Sequence, residues 1–337
     1  MDTFFSLLPE AREEYILVTS QELGIPIPMV EKDCWVCWVL KTLFNNPDFG
    51  NNLSFRGGTS LSKAHQCIER FSEDIDIALP PSYFPRYEIY LPTDNDTPNQ
   101  RNSRLRSLRK PYRLFIERQL VPYLQQMGKE QNIPLFQLEV YNLEKARDPF
   151  VVYLHYSTQF PSKNMTYVQP LVKLELSGRA QTEPSVKRNI SSYVENIFPE
   201  INSSFVVQTV SPARTLWEKA FILHEENSRD TQRPLKERLA RHYYDLDCLI
   251  QKSFVDLSLF REVAHTRKLY HCQTWVDYDK IKPSDLILVP KGDQYQAWKY
   301  DYEHTDSMIF GQHDSFASIV ERLGTIQKEW KKELYDL

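Results

Sequence analysis

No part of this sequence stays apolar for long. The longest nearly unbroken apolar run, Cys34 to Leu40, is far short of the roughly 20 residues that a membrane-spanning helix requires, so no membrane partner is expected. Cysteine is scarce. Five cysteines, an odd number without framework spacing, exclude a disulfide scaffold. The opening residues, MDTFFSLLPEAREEY, lack a basic region followed by an apolar run, which together with the cysteines predicts a reducing, cytoplasmic setting. An excess of positive charge is also missing. The net charge of -4 and pI of about 6.1 give no global attraction to nucleic acid, so any RNA contact must come from local basic patches. Internal repeats and low-complexity tracts are absent, and the eight histidines form no ligand-spaced or triad-like set. Cys34-x-x-Cys37 has no second pair at zinc-like spacing and reads as two buried small residues in a helix.

What is present is enough apolar material, 41% of 337 residues, for more than one core. The pattern is α+β, with a soft boundary near residue 205 separating domains at 1–205 and 206–337. Helices are predicted over 9–23 and 28–44, then a short strand Leu53 to Arg56, a Gly57-Gly58 turn, a short helix from Thr59, and a strand around Asp74 to Leu79. Residues 80–103, rich in Pro, Asn, Asp and Thr, read as a long loop. A helix over about 110–128 and strands at 136–143, 151–157 and 171–176 follow. Beyond the boundary the period turns helical. Ser211 suits a cap, Pro212 a first turn, and Ala213, Leu216, Trp217, Ala220 and Leu223 a buried stripe; further helices span about 235–251 and 314–334.

The chemistry concentrates in residues 56–76. Phe55-Arg-Gly-Gly-Thr-Ser-Leu-Ser-Lys63 sets two glycines between a strand and a helix, where exposed N–H groups favour an anion. An ordinary tight turn has the same composition. Asp74-Ile75-Asp76 lies on a strand, so its carboxylates share one face. Two such charges about 4 Å apart repel by about 1 to 4 kcal/mol at surface-like dielectrics unless a cation sits between them. Mg²⁺ takes such oxygen ligands together with substrate phosphates. Either element alone is weak; the two together put a phosphate cradle and metal ligands on adjacent elements.

These residues, with Glu69-Arg-Phe-Ser-Glu-Asp-Ile-Asp76, resemble the AbiEii/AbiGii toxin family of nucleotidyltransferases. Glu31-Lys-Asp-Cys-Trp-Val-Cys-Trp38, Lys173-Leu-Glu-Leu-Ser-Gly-Arg179, Thr215-Leu-Trp-Glu-Lys219 and Arg241-His-Tyr-Tyr-Asp-Leu246 are similar to it as well, so the resemblance covers roughly 28 to 250. It implies a nucleotidyltransferase-fold N-terminal domain with a mixed sheet and a mainly helical C-terminal domain. It also implies a type IV toxin–antitoxin or abortive-infection role, in phage defence, with a cognate antitoxin as partner. The reaction implied is transfer of a nucleotide from an NTP to an acceptor hydroxyl, with a tRNA 3′ end as the acceptor expected. A protein acceptor and a non-catalytic nucleotide-binding toxin stay open as alternatives.

In this reading Arg56, Gly57, Gly58, Thr59 and Ser60 bind the nucleotide phosphates, and Asp74 and Asp76 bind one or two Mg²⁺. Glu175, alternating with Val172, Leu174 and Leu176, can face the same cleft as a third acidic ligand; a surface Glu on a half-buried strand would alternate identically. The resemblance marks Lys219 as a mobile charge for the triphosphate, against a snorkelling surface lysine. Arg238, Arg241 and Asp245 fall at i, i+3 and i+7 on an expected helical face. Asp245 can orient Arg241 or Lys219, act as a further site carboxylate as in the family's last motif, or form a plain surface pair with Arg241. Ser60 also offers a hydroxyl whose phosphorylation would put negative charge where phosphate binds. The one strong basic cluster, Arg101, Arg104, Arg106, Arg109, Lys110 and Arg113 with Tyr112 and Phe115 interleaved, can hold an RNA backbone or be a solvated helix face.

Overall fold

The computed structural model describes residues 4–141, 148–160, 168–201, 204–229, 233–305, 308–310 and 313–333. The chain divides into two units. The main division falls between Val210 and Ser211, and two short segments assigned by sequence to the first domain, Gln66–Phe71 and Pro92–Arg101, belong to the second unit.

The first unit opens with α1 (Pro9–Leu23), which starts on a first-turn proline and stops at Gly24, whose φ of 64° lets its N–H return to the Ser20 carbonyl. The next helix, α2 (Ile27–Phe44), is buried along almost its whole length. Trp35 stacks on Tyr156 with centroids 5.0 Å apart, and Trp38 donates its indole N–H to Gln131 at 3.0 Å. Cys34 and Cys37 are buried on this helix, as two small residues of its packed face. Three consecutive charges on the same helix are buried, and each has a partner. Glu31 accepts from the Gln159 N–H at 2.8 Å, Lys32 reaches Glu73 at 2.6 Å, and Asp33 reaches Lys63 at 2.6 Å. Buried charge is tolerated only with such compensation.

Then come β1 (Ser54–Arg56), α3 (Gly57–Lys63) and β2 (Asp74–Ala78). Residues 80–103 are not one loop: a single helical turn, Pro81–Tyr83, and α4 (Pro98–Arg106) interrupt them. The helix expected at 110–128 is α5 (Arg109–Phe115) and α6 (Val121–Glu130), joined by a wide π-type turn at Ile116–Leu120 that directly precedes the Val121-Pro122 step. The strands β3 (Phe136–Val140), β4 (Phe150–Tyr156), β5 (Leu171–Ser177), β6 (Ser185–Ile190) and β7 (Phe205–Val210) complete the unit, with α7 (Tyr193–Ile197) before the last. Residues 142 and 143 of the strand expected at 136–143 lie outside the described residues. Among the described residues seven strands form one mixed sheet in the order β3-β4-β5-β2-β1-β7-β6. The pairs β2–β5 and β1–β7 are parallel and the others antiparallel. One face of its centre is the core: Phe55, Ile75, Ile77, Val172, Leu174 and Leu176 are all buried.

The second unit is mainly helical: α8 (Pro212–Asn227), α9 (Arg241–Gln251), α10 (Phe260–Tyr270), α11 (Asp293–Glu303) and α12 (Phe316–Glu333). Ser211 caps α8 by accepting the Ala213 N–H, and Leu216, Trp217, Ala220 and Leu223 are buried as the stripe predicts, while Ala213 is half-buried. Asn227 ties three elements together, donating to the Tyr243 hydroxyl at 2.9 Å and accepting from the Trp298 indole at 2.8 Å. The helix expected from 235 starts only at Arg241. Arg238 sits at φ 63°, outside the right-handed helical region, with its N–H on Asp301. Residue 334 of the expected last helix lies outside the described residues. Among the described residues no helix is long and apolar enough to cross a membrane.

Candidate active site

Strand register decides what shares a face in the first unit. On β2 and β5, Asp74 pairs with Lys173 and Asp76 with Glu175; on β1, Arg56 pairs with Asp76. Register partners project to the same side of a sheet, so these five side chains line one face, opposite the Ile75 and Leu174 core. All five are half-buried. Lys173 is salt-bridged to Glu175. Burial opposes the charge on Lys173, but Asp74 and Glu175 outweigh it and hold the ammonium above its usual pKa. The face thus gathers three carboxylates, with Lys173 set against Asp74 and Glu175 and Arg56 in register with Asp76.

Gly57 brings the turn up to this face. Its φ is 75°, and a Cβ placed on it would lie 2.0 Å from Oδ2 of Asp76. Only glycine permits both the left-handed backbone and the close approach. The helix α3 begins at Gly57 itself rather than at Thr59. The Thr59 and Ser60 hydroxyls turn inward: Thr59 bonds Ser72 at 2.9 Å and the Asp74 carbonyl, and Ser60 donates to the Gly57 carbonyl at 2.9 Å. Both residues are buried, Ser60 completely, so its hydroxyl is not presented to a kinase and the phosphorylation expected there has no accessible target. Backbone N–H groups are what this turn can offer a phosphate. Lys63 fixes the far end of α3: burial opposes its charge, but the paired Asp33 raises its pKa well above the usual range.

In the second unit, Asp245 on α9 is fully buried between cations. Arg70 holds it bidentately, Nε to Oδ1 at 2.6 Å and Nη2 to Oδ2 at 2.8 Å, and Lys219 on α8 reaches Oδ2 at 2.7 Å. Burial alone would raise the Asp245 carboxyl, yet Arg70 and Lys219 hold it far below the usual carboxylate range. Burial lowers the pKa of Lys219 despite Asp245, and His242, 3.3 Å from its ammonium, is held neutral by burial and by the same cations.

A family model described as "Nucleotidyl transferase AbiEii toxin, Type IV TA system" matches residues 38–322. The chain belongs to this family. No curated protein matches it. Among solved structures, MenT4, a nucleotidyltransferase toxin from Mycobacterium tuberculosis H37Rv, shares the fold with a TM-score of 0.52 at 15% identity, over 94% of this chain and 92% of that one. The AbiEii chain is thus a nucleotidyltransferase toxin of α+β architecture.

Within this AbiEii chain the sequence reading and the geometry meet at Arg56, Gly57, Asp74, Asp76 and Glu175, which share one sheet face or abut it. Asp74, Asp76 and Glu175 share this face, Glu175 is salt-bridged to Lys173, and among the described residues no three His, Cys, Asp or Glu side chains stand together as a ready metal cage. The donor chemistry still suits Mg²⁺, which uses one or two carboxylates and completes its shell with substrate phosphates and water. Lys219 is buried, so the surface-lysine alternative falls, and Asp245 pairs with Arg70 and Lys219 rather than forming a surface pair with Arg241. Arg238 is not on the face of α9. Sequence reasoning missed Lys173 and Arg70. Lys173 carries a signal, since it stands two residues before Glu175 on the same strand face; Arg70 meets Asp245 across 175 positions and has none.

Proposed function

We propose that this toxin transfers a nucleotide from a nucleoside triphosphate to the 3′-terminal hydroxyl of a tRNA. The observation that carries the reading is the paired Asp74 and Asp76 on one face of β2, with Gly57 packed against the Asp76 carboxylate. In the reaction, the acceptor oxygen bonds to the α-phosphorus, the bond from that phosphorus to pyrophosphate breaks, and the hydroxyl proton passes to water. Asp74 and Asp76, joined by Glu175 in exchange for Lys173, would hold one or two Mg²⁺. A divalent ion there supplies neutralisation of phosphate charge and a lower pKa for the attacking hydroxyl. The backbone N–H groups of Gly57, Gly58, Thr59 and Ser60 hold the triphosphate, and Arg56 adds a fixed positive charge. Positioning and electrostatics of this kind need no side-chain nucleophile.

Family membership supports an antitoxin partner encoded nearby and growth arrest, in phage defence, as the outcome of the transfer. The test is to incubate purified protein with Mg²⁺, total tRNA and each α-labelled nucleoside triphosphate, beside an Asp74→Ala/Asp76→Ala variant. Label in RNA with wild type alone supports the reading and names the nucleotide. Label in protein instead assigns a protein acceptor, and no label with any triphosphate leaves a toxin that acts by binding.

A further inference from the structure

A cavity of about 320 Å³ in the first unit is lined by Asn102, Leu105, Arg106, Arg109 and Arg179. Three of its five lining residues are arginines and none is acidic. They come from three places in the chain: the end of α4, the start of α5, and the residue two past the end of β5. A single solvated helix face would not collect Arg179, so the basic run does more than keep one helix wet.

The packing explains how the pocket forms. A Cβ on Gly178 would lie 2.3 Å from the Tyr112 hydroxyl, so the missing side chain lets the end of β5 close on α5. Tyr112 is fully buried and its hydroxyl donates to the Leu79 carbonyl. Asp148 fixes the turn on the other side, accepting from Ser177 Oγ at 2.7 Å and from the Gly178 N–H at 2.6 Å. It stands 4.0 Å from Nε of Arg179, an ion pair at the limit of such contacts. On Arg109, Nε is buried without a hydrogen-bond partner. Arg179 also follows Glu175, the register partner of Asp76, by only four residues along the chain. The arginine pocket and the aspartate face are therefore neighbours within one unit.

We propose that this pocket seats a backbone phosphate of the RNA acceptor and thereby sets the distance of its 3′ hydroxyl from Asp74 and Asp76; the proposal rests on the RNA-directed reading above. Guanidinium groups meet phosphate oxygens through paired, charge-assisted hydrogen bonds, and a pocket of three with no carboxylate in its lining matches one doubly contacted phosphate better than a base or a sugar.

Full-length Arg106→Glu and Arg109→Glu variants test it, with Lys129→Glu, an exposed change of equal charge on α6, as control. Steady-state label transfer should show the KM for tRNA raised about tenfold or more in both pocket variants, with the KM for the nucleoside triphosphate unchanged and the Lys129→Glu control like wild type. The logarithmic salt dependence of tRNA binding should become shallower by about one in slope. Circular dichroism melts matching wild type keep misfolding apart from lost contact. An unchanged tRNA KM in both folded variants overturns the proposal, as does a raised KM for the triphosphate alone, which would make the pocket a nucleotide subsite. If wild type transfers nothing to RNA, the functional reading has failed by itself. The pocket then stands or falls on fluorescence anisotropy with deacylated tRNA, where equal binding by wild type and Arg109→Glu overturns it.

Discussion

Replacing Gly57 by alanine tests the geometry of the aspartate face with a single methyl group. Two costs follow from the structure. The first is backbone strain: at φ 75° an L-residue costs about 1 to 2 kcal/mol relative to glycine. The second is displacement. The new methyl would stand 2.0 Å from Oδ2 of Asp76, whereas ordinary contact begins at 3.4 Å, so the carboxylate, the turn or both must shift by about 1.4 Å in total. The carboxylate is the softer partner, because Asp76 is half-buried and β2 is held on both sides by hydrogen-bonded strands. A misplacement of about 1 Å in a reacting constellation costs on the order of a hundredfold in rate, and that is the loss expected in label transfer. Stability by urea denaturation should fall only by about 1 to 2 kcal/mol, so the variant remains folded where its activity is measured. Transfer within about threefold of wild type by a folded Gly57→Ala protein would refute the argument that Asp76 must occupy the space glycine leaves.

Three further outcomes follow. Asp245→Asn leaves Arg70 and Lys219 as buried cations without their counter-ion and should cost about 3 to 5 kcal/mol in urea denaturation, with Lys219→Met costing less because the bidentate Arg70 pair survives; a loss below about 1 kcal/mol for Asp245→Asn would show the cluster to be solvated. His65 donates from Nε2 to the Val210 carbonyl at 2.9 Å, and burial lowers its pKa to about 4. Its folded pKa lies below the unfolded value near 6.5, so its contribution is complete above pH 6.5 and is lost as pH falls toward 4. Discounted for partial exposure, that loss is about 2 kcal/mol, and a His65→Gln variant should lack this part of the acid dependence. Chelation of divalent ions should abolish transfer while leaving the melting temperature within about 1 °C, since among the described residues no cluster of three metal-ligating side chains ties elements together; transfer that persists in chelator would end the metal reading.

The parts of this protein that were legible in its sequence are those whose causes are local. Alternation put Asp74 and Asp76 on one face before any sheet was known, and the same rule applied to β5 put Glu175 with them. Ser211 and Pro212 announced α8 because cap and first-turn preferences act within a few residues. β6 was missed because, as an edge strand, it shows exposed Val186, Lys187, Arg188 and Asn189 in a row and gives no alternation. β7 alternates more clearly, but the expected boundary near 205 falls on its first residue. The Arg70–Asp245–Lys219 cluster and the convergence of Arg179 on α4 and α5 depend on long-range closure, which no window of sequence contains. The late start of α9 has a nearer cause, since Arg238 adopts a positive φ that its residue type does not advertise.

The order of the sheet also bears on how the toxin wears out. β2, which carries both aspartates, sits between β5 and β1, with three strands in all on one side and three on the other. Opening that begins at β3 or β6 must consume other ladders before it reaches the aspartates, and amides of β2 should be among the last to exchange with deuterated solvent. Loss of activity on heating should then coincide with loss of the whole sheet. A partly frayed molecule would still be poisonous, and a cell that relied on ageing to disarm it would have to wait for complete unfolding or degrade the chain outright.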